Sequence, residues 1–158
     1  MNPEITEEAL RLDRQLCFPL YAAARKIVSA YTPALKPLGI TYTQYLVFRV
    51  LWEQDGLPMG ELCRRLRLDS GTLTPVLKKL EAMGYLSRHR SEEDERVVTL
   101  RLTEAGRELK QQALAVPPQV AGTVRLAPEE AGQLYTLLYR FLDEEKETFA
   151  APSCAVVG

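Results

Sequence analysis

The sequence predicts a mainly α-helical chain carrying one small β-hairpin, on three observations. Apolar residues return at helical spacing over 12–28, 46–51, 73–80 and 134–142. Two short runs, 86–90 and 95–102, instead alternate apolar or β-branched residues with basic and polar ones, separated by the polar turn Ser91-Glu92-Glu93-Asp94. Between these patterns, 58–66 and 70–81 read as two helices joined by a tight turn at 67–69. Two helices so joined and followed by a hairpin make a winged helix-turn-helix, flanked here by helical arms suited to dimerisation.

The elements follow in order. Residues 5–30 read as one long helix. Leu12, Leu16, Leu20, Ala23 and Ile27 lie on one face, with Cys17, Tyr21, Ala24 and Val28 as a neighbouring stripe. Together they are wider than the buried stripe of a surface helix, which implies burial against more than one neighbour, including another subunit. Pro19 is expected to bend this helix and deprive the Gln15 carbonyl of its partner, and Tyr31-Thr32-Pro33 to close it. Residues 34–39 form a short turn. The next helix runs over 43–53 with Thr43 as cap, and a short one opened by Pro58 runs to Leu66.

Ser70 is the expected N-cap of the following helix. Leu73, Val76, Leu77 and Leu80 form its buried stripe, and Met83-Gly84-Tyr85 stops it. Its other face carries Thr72, Thr74, Lys78 and Lys79, a composition suited to a helix in the major groove. Hydroxyls there reach base edges and ammonium groups sit on phosphates. Thr103 caps a helix reaching about Val116, where Pro117-Pro118 breaks the pattern; Pro128-Glu129-Glu130 opens the last helix, with Leu134, Leu137, Leu138, Phe141 and Leu142 as its stripe. The expected organisation is an N-terminal dimerisation arm (1–42), a winged unit (43–102), a C-terminal dimerisation arm (103–149) and a mobile tail (150–158).

Charge is informative through its distribution. The 158 residues carry a formal net charge of -1, which argues against nonspecific nucleic-acid binding. Residues 59–90, however, hold seven Lys or Arg against three Asp or Glu, whereas 104–147 hold five against eight. A local basic patch therefore lies where the reading helix and hairpin are placed. Three scattered cysteines, Cys17, Cys63 and Cys154, and one histidine, His89, show no metal-ligand spacing and no C-x-x-C motif. No metal or cofactor is expected. No apolar run approaches the ~20 residues of a membrane span, and the acidic N-terminus has no signal-peptide character, so a cytoplasmic protein is expected.

Cys17, on an apolar helix, reads first as a small buried hydrophobe. Tyr21, Tyr31 and Tyr42 supply a second reading, because a phenol can donate to a thiolate and favour its charged form. Arg14 adds positive potential and Asp13 offsets part of it. Tyr21 shares a face with Cys17. Tyr31, fourteen residues on, lies ~21 Å along a continuous helix, so only the partner chain of a dimer can bring it to Cys17. These tyrosines read equally as packing aromatics with hydroxyls at a wet edge.

Four stretches carry a resemblance: Leu12-Asp13-Arg14-Gln15-Leu16-Cys17-Phe18, Gly39-Ile40-Thr41-Tyr42-Thr43-Gln44-Tyr45, Leu68-Asp69-Ser70-Gly71-Thr72-Leu73-Thr74-Pro75, and Asp94-Glu95-Arg96 with Leu102-Thr103-Glu104-Ala105-Gly106. From about 12 to 142 the chain resembles the MarR family of winged-helix repressors, in its organic hydroperoxide-sensing branch. The resemblance implies that Cys17 is the peroxidatic cysteine, oxidised to a sulfenic acid by organic hydroperoxide. It implies that Tyr31 and Tyr42 bond that sulfur from the partner subunit, with Tyr21 a further pocket tyrosine. It also implies that Asp94 orients Arg96 toward the minor groove. Glu93 stands where the family commonly has a basic residue, and no cysteine lies between Cys63 and Cys154 to match the second cysteine of some members. A one-cysteine sensor is then expected, its sulfenic acid reacting with a low-molecular-weight thiol or overoxidising.

The expected protein is thus a homodimeric redox-sensing repressor of double-stranded operator DNA, and not an enzyme. The candidate DNA-facing residues are Ser70, Thr72, Thr74, Pro75, Lys78, Lys79, Arg88, Arg90, Asp94 and Arg96. The rivals are a repressor released by a small phenolic ligand, with Cys17 structural, and a thiol peroxidase.

Overall fold

A computed structural model of the protein describes residues 7–94 and 96–142. Among them the order is α1 (Cys17–Leu35), α2 (Tyr42–Glu53), β1 (Leu57–Pro58), α3 (Met59–Leu66), α4 (Ser70–Ala82), β2 (Leu86–Arg90), β3 (Val98–Leu102), α5 (Glu104–Ala113), α6 (Val116–Ala121) and α7 (Pro128–Phe141). Short 3-10 turns occupy Glu7–Leu10, Leu12–Arg14 and Lys36–Leu38. The chain divides into two compact units, one drawn from 1–31 and 120–158, the other spanning Thr32–Gln119. The second unit holds the helix-turn-helix and the sheet. The expected tail at 150–158, Cys154 within it, and Glu95 lie outside the described residues.

The core of the second unit is aliphatic with one aromatic centre. Phe48, Leu51, Leu62, Leu73, Leu77, Leu80, Leu86 and Leu100 are all essentially sealed from solvent. Phe48 stacks on Trp52 at 5.2 Å and meets Tyr85 edge-on at 5.6 Å. The three strands form one antiparallel sheet in the order β1-β3-β2. Leu86 pairs with Leu102 and Arg88 with Leu100, so alternate residues of the hairpin turn their aliphatic side chains to the core.

Several local expectations are corrected. The predicted helix over 5–30 begins at Cys17 and continues to Leu35. Pro19 does not bend it, because it falls in the first turn, where a backbone N–H has no intrahelical partner. The Gln15 carbonyl accepts the Phe18 N–H at 3.3 Å and is not left without a donor. Pro33 lies inside the helix and does not close it; the chain turns at Gly39, whose φ of 68° is left-handed. The cap of α2 is Thr41 and not Thr43. Thr41 Oγ1 accepts the Gln44 N–H at 3.3 Å while Gln44 Oε1 accepts the Thr41 N–H at 2.9 Å, a reciprocal capping box.

Pro58 does not open α3 as its first residue. It is the extended N-cap and half of β1, which pairs Leu57 with Leu100 and Pro58 with Thr99. A proline fits there because β1 is an edge strand. The second hairpin strand starts at Val98 and not at 95. Ser91 Oγ accepts the N–H groups of Glu93 and Asp94 at 3.2 and 3.3 Å, and the Val97 N–H donates to the Asp94 carbonyl at 2.9 Å. These bonds keep residues 91–94 and Val97 out of the strand pairing. Pro117 and Pro118 follow the break after α5 but sit in the first turn of α6, which the sequence pattern did not show.

The base of the wing is built around one close approach. Thr103 N–H donates to the Tyr85 carbonyl at 3.0 Å, and Thr103 Oγ1 donates to the Gly84 carbonyl at 2.6 Å. Thr103 Oγ1 also accepts the Gly106 N–H at 3.2 Å, capping α5 as expected. Gly106 then passes so near that a Cβ there would lie 2.1 Å from the Tyr85 oxygen. Trp52 Nε1–H donates to the Gly106 carbonyl at 2.9 Å, and Asp55 Oδ1 accepts the Leu102 N–H at 2.9 Å. Gly106→Ala is therefore expected to lower stability by about 2–3 kcal/mol, since backbone and not a flexible side chain must give way. A shift of the urea midpoint with unchanged slope checks it; a neutral variant contradicts the close approach.

Candidate nucleic-acid interface and sulfur site

Between α3 and α4 the chain reverses through Arg67, a non-glycine residue at φ 53°. Leu68 N–H donates to the Cys63 carbonyl at 3.1 Å, satisfying the end of α3. Asp69, and not the expected Ser70, caps α4: it is extended, and Oδ1 accepts the Thr72 N–H at 2.8 Å, while Ser70 is already helical. Its other oxygen accepts the Thr72 hydroxyl at 2.8 Å. These bonds, the Thr72 hydroxyl first, hold the Asp69 carboxyl below the ordinary aspartate range. A Cβ on Gly71 would meet Asp69 Oδ1 at 3.0 Å, so the small residue leaves room for the cap.

Leu73, Leu77 and Leu80 seal one side of α4, and Val76 is half-buried. The open side presents Pro75, Lys78 and Lys79, with Ser70 and Thr72 exposed and Thr74 half-buried. Thr74 Oγ1 donates to the Ser70 carbonyl at 2.6 Å.

The hairpin arginines have different surroundings. Arg88 is turned onto α4: its Nε lies 2.8 Å and its Nη2 2.7 Å from Glu81 Oε2, and its N–H donates to Glu81 Oε1 at 3.2 Å. This clamps the wing to the reading helix and draws Arg88 away from an outward role. Arg90, at the strand end, is exposed. Arg96 in the loop has its side chain 91% exposed; its backbone N–H and its Nε both donate to Asp94 Oδ1, at 3.0 and 3.1 Å. His89 Nε2 lies 2.8 Å from Ser87 Oγ. Sequence reasoning missed Asp69 and Glu81. The visible signals were an aspartate three residues past the end of α3 and a glutamate in the last turn of α4, seven residues before an arginine.

Cys17 opens α1 and is exposed; its thiol donates to Gln15 Oε1 at 3.3 Å. The reading of Cys17 as a buried hydrophobe does not describe its surroundings within the chain. Tyr21, one turn on, is 60% exposed with the Arg25 guanidinium 5.6 Å above its ring. Tyr31 is buried on the same continuous helix, ~21 Å from Cys17 along the axis. Tyr42, the first residue of α2, is half-buried. Arg14 pairs with Glu8 at 3.1 Å and Asp13 with Arg11 at 3.0 Å, so both charges are engaged locally. Among the described residues no group of three His, Cys, Asp or Glu side chains converges to hold a metal, and no helix is long and apolar enough to cross a membrane.

A helix-turn-helix with a basic open face and an antiparallel wing defines a winged-helix DNA-reading regulator. Known proteins agree. The family model for the transcriptional regulator SarA/Rot matches residues 29–113. The organic hydroperoxide resistance transcriptional regulator of Bacillus subtilis is 45% identical over 134 residues, covering 85% of this chain and 91% of that one. Two solved structures of AbfR, a protein of Staphylococcus epidermidis, are also similar. Reduced AbfR bound to DNA is 37% identical with a TM-score of 0.70, and overoxidised AbfR bound to DNA is 37% identical with a TM-score of 0.69; each match covers 87% of this chain and 96% of the other. The chain belongs to the MarR family of winged-helix transcriptional regulators, in its organic hydroperoxide-sensing branch.

The Glu81–Arg88 clamp makes a pH prediction. Arg88 holds the Glu81 carboxyl below the ordinary glutamate range, mainly through the side-chain hydrogen bond. The unfolded chain therefore takes up this proton at higher pH than the folded one. The stabilisation is present above the ordinary glutamate value and disappears as pH falls through the lower folded one. Glu81→Gln is expected to lose up to about 1 kcal/mol at pH 7. The gap from wild type should narrow steadily as pH falls below the ordinary glutamate value, read from urea midpoints at a series of pH values.

Proposed function

We propose that this protein is a redox-sensing transcriptional repressor that holds near-palindromic operator DNA as a homodimer and releases it when organic hydroperoxide oxidises Cys17. The carrying observation is an exposed thiol at the first position of a long helix, in a chain of the hydroperoxide-sensing branch. The thiolate attacks one peroxide oxygen, the O–O bond breaks, and an S–O bond forms. The Cys17 sulfur is oxidised to a sulfenic acid, and the leaving alkoxide takes a proton to become an alcohol. A low-molecular-weight thiol then displaces water to give a mixed disulfide.

The arms support a dimer. Leu16, Phe18, Tyr21 and Val28 near or on α1, and Leu134, Leu137 and Phe141 on α7, stand exposed within one chain. Pairing α1 with its antiparallel copy brings Tyr31 of the partner subunit toward Cys17, which the ~21 Å along one helix forbids within a chain. Tyr42 joins that pocket in the same reading. The arms at 1–42 and 103–149 set the spacing of two α4 helices about one DNA turn apart. Lys78 and Lys79 then sit on phosphate, Ser70, Thr72, Thr74 and Pro75 face bases, and Arg90 and Arg96 approach from the wing. A protein with this role works in the cytoplasm and is not an enzyme.

A titration of DNA binding before and after one equivalent of alkyl hydroperoxide with a small thiol, with the mass of Cys17 measured, tests this. Near-complete release requires modification to favour the free state by about 10⁴-fold. Cys17→Ser should keep reduced-state affinity and lose release. Tight binding with Cys17 confirmed as a mixed disulfide would falsify the switch. Release of the serine variant by a phenolic compound would support the ligand-sensing rival, for which a half-open cavity of about 240 Å³ lined by Tyr45, Arg49, Trp52 and Lys110 offers a place. Repeated peroxide turnover would support the peroxidase. Lys78→Ala should weaken binding alike for all sequences and lower the salt dependence by roughly one phosphate contact, read from affinity against salt concentration.

A further inference from the structure

Chemistry settles the direction of two hydrogen bonds on α4. Thr72 Oγ1 lies 2.8 Å from Asp69 Oδ2, and Thr74 Oγ1 lies 2.6 Å from the Ser70 carbonyl oxygen. An ionised carboxylate and a carbonyl can only accept. Both hydroxyl protons are therefore turned back into the chain, and each oxygen offers lone pairs alone to anything outside. In the major groove only adenine, through its N6 amino group, and cytosine, through its N4 amino group, supply a donor; guanine and thymine present acceptors.

We propose that Thr72, with Asp69 as its positioning residue, reads DNA as an acceptor only, selecting adenine or cytosine over guanine or thymine at its contact in one strand. The inference rests on α4 being the groove-reading helix. Thr74 has the same polarity, but a main-chain carbonyl holds its proton and no side-chain change at that partner can reverse it. Asp69 is different. Asparagine is an equally good N-cap, and its carbonyl oxygen can accept the Thr72 N–H as the carboxylate does. Its amide nitrogen, however, donates to Thr72 Oγ1. The hydroxyl proton is then free to point outward, and the same oxygen becomes a donor suited to guanine or thymine.

The experiment selects bound duplexes from a randomised double-stranded DNA library, using reduced full-length protein as wild type, Asp69→Asn and Thr72→Val. Wild type should enrich adenine or cytosine at one position of each half-site. Asp69→Asn should exchange it for guanine or thymine there and leave the other positions unchanged. Thr72→Val should show no preference there. Replacing the selected base by its analogue lacking the amino group, purine for adenine or pyrimidin-2-one for cytosine, should weaken wild type roughly three- to tenfold and leave Thr72→Val unaffected. Two results overturn the inference alone: both variants enriching the wild-type sequence, or Thr72→Val losing the preference while folded Asp69→Asn keeps adenine or cytosine. Should a thermal melt show Asp69→Asn unfolded, Thr72→Val and the base analogues decide the question. A wild type that enriches no sequence overturns the DNA-reading assignment and this inference together.

Discussion

The Tyr85 carbonyl is where the reading helix, the wing and α5 meet. It accepts the Thr103 N–H, and the backbone of α5 passes against it at Gly106 with no room for a side chain. Thr103 uses its hydroxyl twice, donating to Gly84 and accepting from Gly106. The end of α4, the return strand of the wing and the start of α5 thus become one rigid corner. Trp52 extends it to α2 by donating to the Gly106 carbonyl, and Asp55 extends it to β3. Interdigitated backbone of this kind has few alternative arrangements, because every group in it is either hydrogen-bonded or in van der Waals contact. A displacement reaching α5 must therefore move the wing and α4 with it.

Charge is organised by the same economy. Three arginines of the helix-turn-helix and wing are tied to carboxylates: Arg64 to Glu61, Arg65 to Glu53, and Arg88 to Glu81. Exposed pairs of this kind add little stability; the partly buried Arg88–Glu81 pair also fixes the angle between wing and reading helix. On the reading helix and the wing, Lys78, Lys79, Arg90 and Arg101 are exposed, as is Arg96, which also pairs with Asp94. A protein of net charge -1 can in this way present a basic face to DNA.

The sulfur site is distributed differently. Cys17 and Tyr21 come from one turn of α1, whereas the helix itself separates Cys17 from Tyr31. A single chain supplies a thiol and one phenol in an exposed setting. In the proposed dimer the remaining phenols arrive with the second chain, so chemistry at the sulfur and the geometry of the arms become one event. That is a physical route from one oxygen atom to the spacing of two reading helices.

Much of the fold was legible because period and composition report burial directly. The stripe Leu73, Leu77 and Leu80, the hairpin and the basic face of α4 all follow from which residues must avoid water. Legibility ended where backbone angles decide. Thr41 and Asp69 cap their helices in place of Thr43 and Ser70, because the residue that turns extended wins the cap and all four side chains are chemically able. A two-residue strand such as β1 has no period to detect. Pro19 and Pro118 belong to helix starts and Pro33 to a helix interior, which composition cannot distinguish. By itself the sequence determined the helical and hairpin pattern and the family. Only the tertiary structure decided that Arg88 turns inward to Glu81, that Gly106 must lack a side chain, and which way the hydroxyl of Thr72 points. Each of these depends on the position of an atom brought from elsewhere in space or turned by local backbone geometry, and a string of residues carries neither.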